Sequence, residues 1–225
     1  EKPALGLVSS LAETIDEAGR VTGREFSLVD GDAQRRYSAY SSPVVTPTYS
    51  GRREVFAAVP YREQFSLTAD FDFIARAAEQ YILGAVPEVL LHYRRHATQT
   101  TQEQAALIER QRGQVRLCTA RRRAGRHEAA IAPTDSAGKP AEVALTASRR
   151  AYAERFCTLA AFQARRAIAL GCSPVMTGRA IALAGQALVA ASGAERSLAA
   201  RMFFLGPVRA LTVRPGGNGS IRAGA

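Results

Sequence analysis

Cysteine is scarce: Cys118, Cys157 and Cys172 are the only three in 225 residues. An odd number without CxxC spacing argues against a disulfide scaffold and against a structural zinc site. It is the usage expected in a reducing compartment. The amino terminus lacks a basic stretch followed by an apolar one, so no secretory signal is expected. The chain starts at Glu1 rather than Met, which admits both a processed chain and a piece of a longer one. No run reaches the roughly 18 apolar residues that a membrane span needs. The nearest, Ala180 to Ala191, is short and is interrupted by Gln186. P-loop, GxGxxG, GxSxG and HExxH motifs are all missing, and with them the direct signatures of the function classes they mark.

What remains is globular composition, 47% apolar and 22% charged, with a net charge of +10. That charge is unevenly placed. Residues 1–100 carry 11 Lys+Arg against 13 Asp+Glu, a net of −2, and residues 101–225 carry 19 against 7, a net of +12. Two regions with different surfaces are expected, the second of them basic. An Arg- and Ala-rich helical region suits nucleic acid, anionic lipid or an acidic partner. It equally reflects the arginine usage of a GC-rich genome. Aromatics interleaved with arginine would favour single-stranded nucleic acid. The basic half has only Tyr152, Phe156, Phe162, Phe203 and Phe204, mostly at core spacing, so nucleic acid is disfavoured.

Along the chain, Ala4 to Ile15 reads as an interior strand, followed by a turn at Asp16–Gly19. Glu25 to Tyr40 is polar, and Asp30-Gly31-Asp32 reads as a turn rather than a metal pair. Pro43 and Pro47 favour extended backbone, and Arg52 to Val59 a short helix. Asp70 to Gln80 is an amphipathic helix with Phe71, Ile74, Ala75 and Ala78 on its apolar stripe. Thr68 or Asp70 is its expected cap. Tyr81 to Val86 and Val89 to Tyr93 read as two strands around a turn at Pro87-Glu88. Thr100 to Glu103 has capping-box spacing and opens a helix to about Arg123. A linker from Gly125 to Pro140 precedes helices at 147–170, 174–191 and 195–205. Residues 214–225 read as a disordered tail.

Chemistry concentrates between Tyr61 and His96. A carboxylate at a helix mouth can take a proton from a hydroxyl nucleophile, and Asp70 is the first candidate, with capping as the bland alternative. Asp72 is a supporting residue, spaced to pair with Arg76 four residues on. Arg94 and Arg95 suit phosphate oxygens, and His96 suits a divalent ion. Ordinary surface accounts for such a strand end equally well.

These stretches resemble the second half of a family 2 glycosyltransferase, the inverting GT-A type. That family has an R-R-x-x-F entry, a G-x-(Y/F) loop, an E-D-(Y/F)-D helix opening followed by Arg, and a P-x-x-L-x-x-Y-R-x-H strand. This chain reads Arg52-Arg53-Glu54-Val55-Phe56, then Val59-Pro60-Tyr61-Arg62, then Ala69-Asp70-Phe71-Asp72 with Arg76, then Pro87 to His96. Leu5 to Gly19 is similar to the strand and turn that follow the family's nucleotide-metal motif. The likeness is collinear over residues 5–101. It implies Asp70 as the general base, Arg53 as a residue of the acceptor-side wall, and Arg94 and His96 on the donor diphosphate or metal side. His96 is the metal candidate.

The resemblance further implies a partial GT-A α/β mixed sheet over residues 1–100 and a basic α-helical extension over 101–213. It implies a nucleotide-sugar donor, a glycan, lipid or peptide acceptor, and Mg or Mn as the divalent metal of the full-length enzyme, in cell-envelope polysaccharide synthesis in a bacterium. This chain alone is expected to be incomplete and inactive and to bind no metal tightly. Location would be cytoplasmic or peripheral at the inner membrane face. For the extension, homodimerisation or contact with anionic membrane is expected. Two departures stand out. Ala69 replaces the family's Glu before the base, which removes a neighbouring carboxylate. The nucleotide-binding strand and the DxD motif that the resemblance would place before Leu5 are not found there, and Asp30-Gly31-Asp32 has the DxD spacing but lies after the strand that normally follows that motif. The rival expectations are a non-enzymatic basic binding module and an inactive transferase-like protein.

Overall fold

The computed structural model describes residues 5–96, 103–128 and 138–205. The architecture is α/β, a small mixed sheet followed by several α-helices. The chain divides into two compact units, Glu1–Asp135 and Ser136–Ala225.

The first unit is built on β1 (Leu5–Ile15), an interior strand as its sequence predicts. Leu7, Ala12 and Ile15 are buried on it, as are Ser9, Ser10 and Thr14. On one edge it pairs antiparallel with β2 (Val21–Arg24) and β3 (Ser50–Gly51). On the other it pairs in parallel with β4 (Ile82–Arg94). Between these strands lie α1 (Gly31–Tyr37), α2 (Arg53–Ala58) and α3 (Ala69–Gln80), and α4 (Ala105–Arg123) follows β4. The core joins Leu7 and Leu83 of the sheet to Val55, Val59, Phe65, five side chains on one flank of α3, Phe71, Ile74, Ala75, Ala77 and Ala78, together with Phe73 and Val115. Val115 belongs to α4. Gln111 of the same helix accepts from the Leu67 N–H at 3.0 Å. The helix after residue 100 therefore packs with the first unit, and the boundary between units falls beyond it.

Three local expectations are corrected. Asp30-Gly31-Asp32 is not a free turn: Asp30 accepts from the Ala33 N–H at 2.6 Å and caps α1. Gly31 is needed there because a Cβ would lie 2.2 Å from the Leu83 carbonyl oxygen. Pro87-Glu88 is not a turn either. The partner of Ser10 is Val86 and that of Leu11 is Val89, so Pro87 and Glu88 form a bulge within one continuous strand. Proline, which cannot donate to the ladder, is tolerated at such a position. Beyond the bulge the expected alternation holds, with Leu90, His92 and Arg94 exposed and Val89, Leu91 and Tyr93 half-buried.

The third correction is in the second unit, α5 (Pro140–Ala153), α6 (Cys157–Ala169), α7 (Pro174–Ala190) and α8 (Gly193–Phe204). The single helix expected over 147–170 is two. The Arg155 N–H donates to the Tyr152 carbonyl and the Phe156 N–H to the Ala151 carbonyl, both at 2.9 Å. This is the double bond of a Schellman end, closed by Arg155 at φ 64° instead of by glycine. Gly171 ends α6 as expected, at φ 84°. The core here is alanine: Ala144, Ala164, Ala167, Ala180 and Ala184, with Leu145 and Leu183. No helix among the described residues is long and apolar enough to cross a membrane. The proposed capping box at Thr100–Glu103 falls largely outside the described residues, and the expected tail at 214–225 wholly outside them.

Candidate functional site at the mouth of α3

Two carboxylates lie in the first turn of α3, where the macrodipole favours negative charge. Their surroundings are opposite. Asp72 is 0% exposed and held between two guanidinium groups. Arg62 donates from Nε to Asp72 Oδ2 at 2.9 Å and from its Nη2 to Oδ1. Arg76 donates from Nε to Oδ2 at 2.9 Å, the expected pair four residues apart. Arg76 Nη2 also reaches the Pro60 carbonyl at 2.7 Å, tying the incoming loop to the helix.

The pairing runs onward from Arg62. Its Nη1 donates to Glu128 Oε2 at 2.6 Å, and Arg122 donates to Glu128 Oε1 at 2.6 Å and to both oxygens of Glu79 at 3.0 Å. Burial alone would lower the Arg62 pKa. Its bonds to Asp72 and Glu128 outweigh that and raise it above the ordinary arginine value. Glu128 moves the other way for the same reason: burial pushes it up, and Arg62 and Arg122 bring it below the usual carboxylate value. Asp72 is therefore consumed in holding the loop, the helix and the end of α4 together.

Asp70 is half-buried. Its Oδ2 accepts from the Thr46 hydroxyl at 2.6 Å, and its Oδ1 accepts from the Phe71 N–H at 2.7 Å. The cap position is Thr68, whose side chain makes no cap bond, and Asp70 lies inside the first turn, where the N–H it accepts from is the next one. No cation pairs with Asp70 among the described residues. A carboxylate offers about four lone-pair sites, so two remain after these bonds.

Two tyrosines flank Asp70. Tyr61 is held by stacking on Phe73 with 4.9 Å between ring centroids. Burial and then the Asp70 charge raise its phenol pKa. Tyr49 follows Thr46 by three residues. Burial pushes its phenol well above the ordinary range, with the nearby Ser42 hydroxyl acting against that and Asp70 adding to it. The Tyr49 hydroxyl is buried and has no hydrogen bond of ordinary geometry. The buried Tyr49 phenol, with Ser42 beside it outside ordinary hydrogen-bond geometry, thus lies close enough to Asp70 to feel its charge.

The other predicted residues lie elsewhere. Arg53 is exposed at the start of α2, with no hydrogen bond or ion pair among the described residues. Arg94 reaches back to the turn after β1, donating to the Asp16 and Glu17 carbonyls at 2.7 and 2.8 Å. In the sheet register it stands opposite Ile15, whereas β3 stands opposite Leu7 and Val8. Seven residues of strand at ~3.3 Å each separate the two positions by roughly 23 Å. His96 is exposed just past β4. Neither residue is among the partners of Asp70. No group of three or more His, Cys, Asp and Glu able to hold a metal occurs among the described residues.

Thr46, Tyr49, Arg62 and Glu128 were not singled out by sequence. Tyr49 and Thr46 lie in a proline-rich stretch without periodicity, and Arg62 is ten residues from Asp72. Their roles come from tertiary approach. A Tyr and an Arg next to the matched loop motif at Val59–Arg62 were the one available signal. No protein-family model, no curated protein and no solved structure matches this chain.

Proposed function

We propose that the first unit carries the base-bearing, acceptor-side part of an inverting sugar transferase of the GT-A type. The observation behind the reading is the division of labour at the mouth of α3. Asp72 is buried and clamped by Arg62 and Arg76, whereas Asp70 is half-open, free of cationic partners and bordered by Thr46, Tyr49 and Tyr61. The collinear motif from Arg52 to His96 supplies the reaction class.

An acceptor hydroxyl placed at the open side of Asp70 donates its proton to the carboxylate as its oxygen forms the bond to the anomeric carbon. The bond from that carbon to the nucleoside diphosphate breaks on the opposite face, so configuration inverts. General-base assistance of this kind contributes about 10² to 10⁴ in rate. Thr46 fixes the carboxylate rotamer through its bond to Oδ2, and the Arg62–Asp72–Arg76 clamp fixes the helix that presents it.

The test uses the longest reading frame that contains this sequence. Release of nucleoside diphosphate is followed with a panel of UDP-, GDP- and dTDP-sugars and mixed glycan acceptors. Asp70→Asn is expected to reduce transfer by at least about 100-fold with the fold retained. Transfer that continues at the parent rate in this variant removes Asp70 from the role.

A further inference from the structure

The end of α3 away from Asp70 opens on a groove of 540 Å³ lined by Asp32, Arg35, Arg36, Glu79, Arg122 and Arg123. Nine residues at 1.5 Å each place Glu79 about 13 Å along the helix from Asp70. The groove is thus separate from the site above. It gathers four guanidinium groups against two carboxylates, and the four are not equally occupied.

Arg122 is saturated by Glu79 and Glu128. Arg35 uses Nε for the Ala78 carbonyl at 3.3 Å. Arg123 uses one terminal nitrogen for the Arg35 carbonyl at 3.1 Å and the Ser38 hydroxyl at 3.4 Å. Its Nε is 3.9 Å from Glu79, too far for a hydrogen bond. Arg36 is exposed and has no hydrogen bond or ion pair among the described residues. Capping the carbonyls where α1 and α3 end is the ordinary service of arginine at helix C-termini, and single bonds from Arg35 and Arg123 perform it. Arg36 and the remaining N–H groups of Arg35 and Arg123 are left over. Burial lowers the Arg123 pKa despite Glu79, as expected of a guanidinium short of negative charge.

The planar N–H fork of arginine matches phosphate oxygens, and the groove volume is in the range of small-molecule sites. We propose that Arg35, Arg36 and Arg123 form a binding site for the phosphate group of a small polyanionic ligand. The ligand enters from the α1 side, where Arg36 is accessible, and displaces water rather than any protein ion pair.

The experiment is calorimetric titration of the chain with inorganic diphosphate, and in parallel co-sedimentation with phosphatidylcholine vesicles with and without phosphatidic acid. Saturable 1:1 binding of diphosphate, weakened about tenfold or more by Arg36→Ala, supports a soluble phosphate ligand. Binding only to phosphatidic acid vesicles, lost in Arg36→Ala, supports the same site with a lipid headgroup as source. Arg36 is exposed and outside the core, so the variant is expected to keep its circular dichroism spectrum. Arg36→Lys keeps the charge without the fork and is expected to bind at intermediate strength. Absence of binding to either probe, or affinity unchanged in Arg36→Ala, overturns the proposal. So does binding abolished by Arg94→Ala but not by Arg36→Ala, which would place the anion at the far end of β4. None of these results depends on sugar transfer.

Discussion

The two units solve the packing problem with different side chains. The first closes its sheet with aromatic and branched residues, Phe65, Phe71, Phe73, Ile74 and Leu83, and buries charge among them. Arg116 and Glu109 are each 2% exposed and joined at 2.8 Å, and Asp72 lies between its two arginines. The second packs its helices largely through alanine, which lets their axes approach closely, and Ser148, Thr158 and Gln163 are its buried polar residues among those described. Its Arg150–Glu154 pair is 3.7 Å long and partly exposed. A mixed core with buried ion pairs holds loops in register and can present one carboxylate differently from its neighbour.

The largest break in this contrast is expected at Arg116. Arg116→Met leaves Glu109 buried without its guanidinium, which costs about 3–5 kcal/mol. Hydrogen exchange read segment by segment is expected to lose protection in α4 and leave α6 unchanged. The reciprocal change is overpacking: Ala164→Leu adds volume to an alanine interface and costs about 1–3 kcal/mol, read in the exchange of α6 and α7. A gain is expected at Arg155. Gly125 makes the same chain reversal after α4 at φ 66°, at no steric cost, and Arg155→Gly relieves the same left-handed backbone after α5. Slower exchange at the end of α5, by about 1 kcal/mol, is the predicted reading.

The elements that sequence reads well are those whose periodicity agrees with their burial. β1 has an unbroken run of small and apolar residues, and α3 has a clear apolar flank. Two of the misreadings come from residues whose surroundings in the fold overrode their local preference, and the third from a helix end without its usual residue. Asp30-Gly31-Asp32 carries turn composition, yet Asp30 caps α1 and Gly31 fits where a Cβ would meet the Leu83 carbonyl oxygen. Pro87 ends most strands, but here β1 continues past it and absorbs it as a bulge. Arg155 gives no sign of a helix end because the signal, glycine, is absent. At the candidate site, Asp70, Asp72 and Arg76 share one helix turn and were legible by spacing. Thr46, Tyr49, Arg62 and Glu128 reach the site from segments far apart in sequence, and no pattern links them beforehand.

The smallest effect lies in the ion-pair chain and is read by pH. Glu128 is lowered from 4.5 by its arginines although burial opposes them. A carboxylate depressed on folding contributes stability that is present above its unfolded value and is lost as pH falls through its folded value. The urea midpoint is therefore expected to decline below about pH 4.5. In Glu128→Gln that component of the decline should vanish.

The central claim is that two carboxylates two residues apart do different work. It is tested most directly by the exchange protection of α3 in Asp70→Asn and Asp72→Asn. Removing the charge of Asp72 leaves two arginines without their shared partner and is predicted to cost about 3 kcal/mol. Asparagine at position 70 keeps one acceptor oxygen for the Phe71 N–H, meets the Thr46 hydroxyl with its amide as donor, and gives up the charge at the helix mouth, a loss of about 1 kcal/mol. An Asp70→Asn chain destabilised as much as the Asp72→Asn chain would contradict the account, because Asp70 would then be a structural residue like its neighbour.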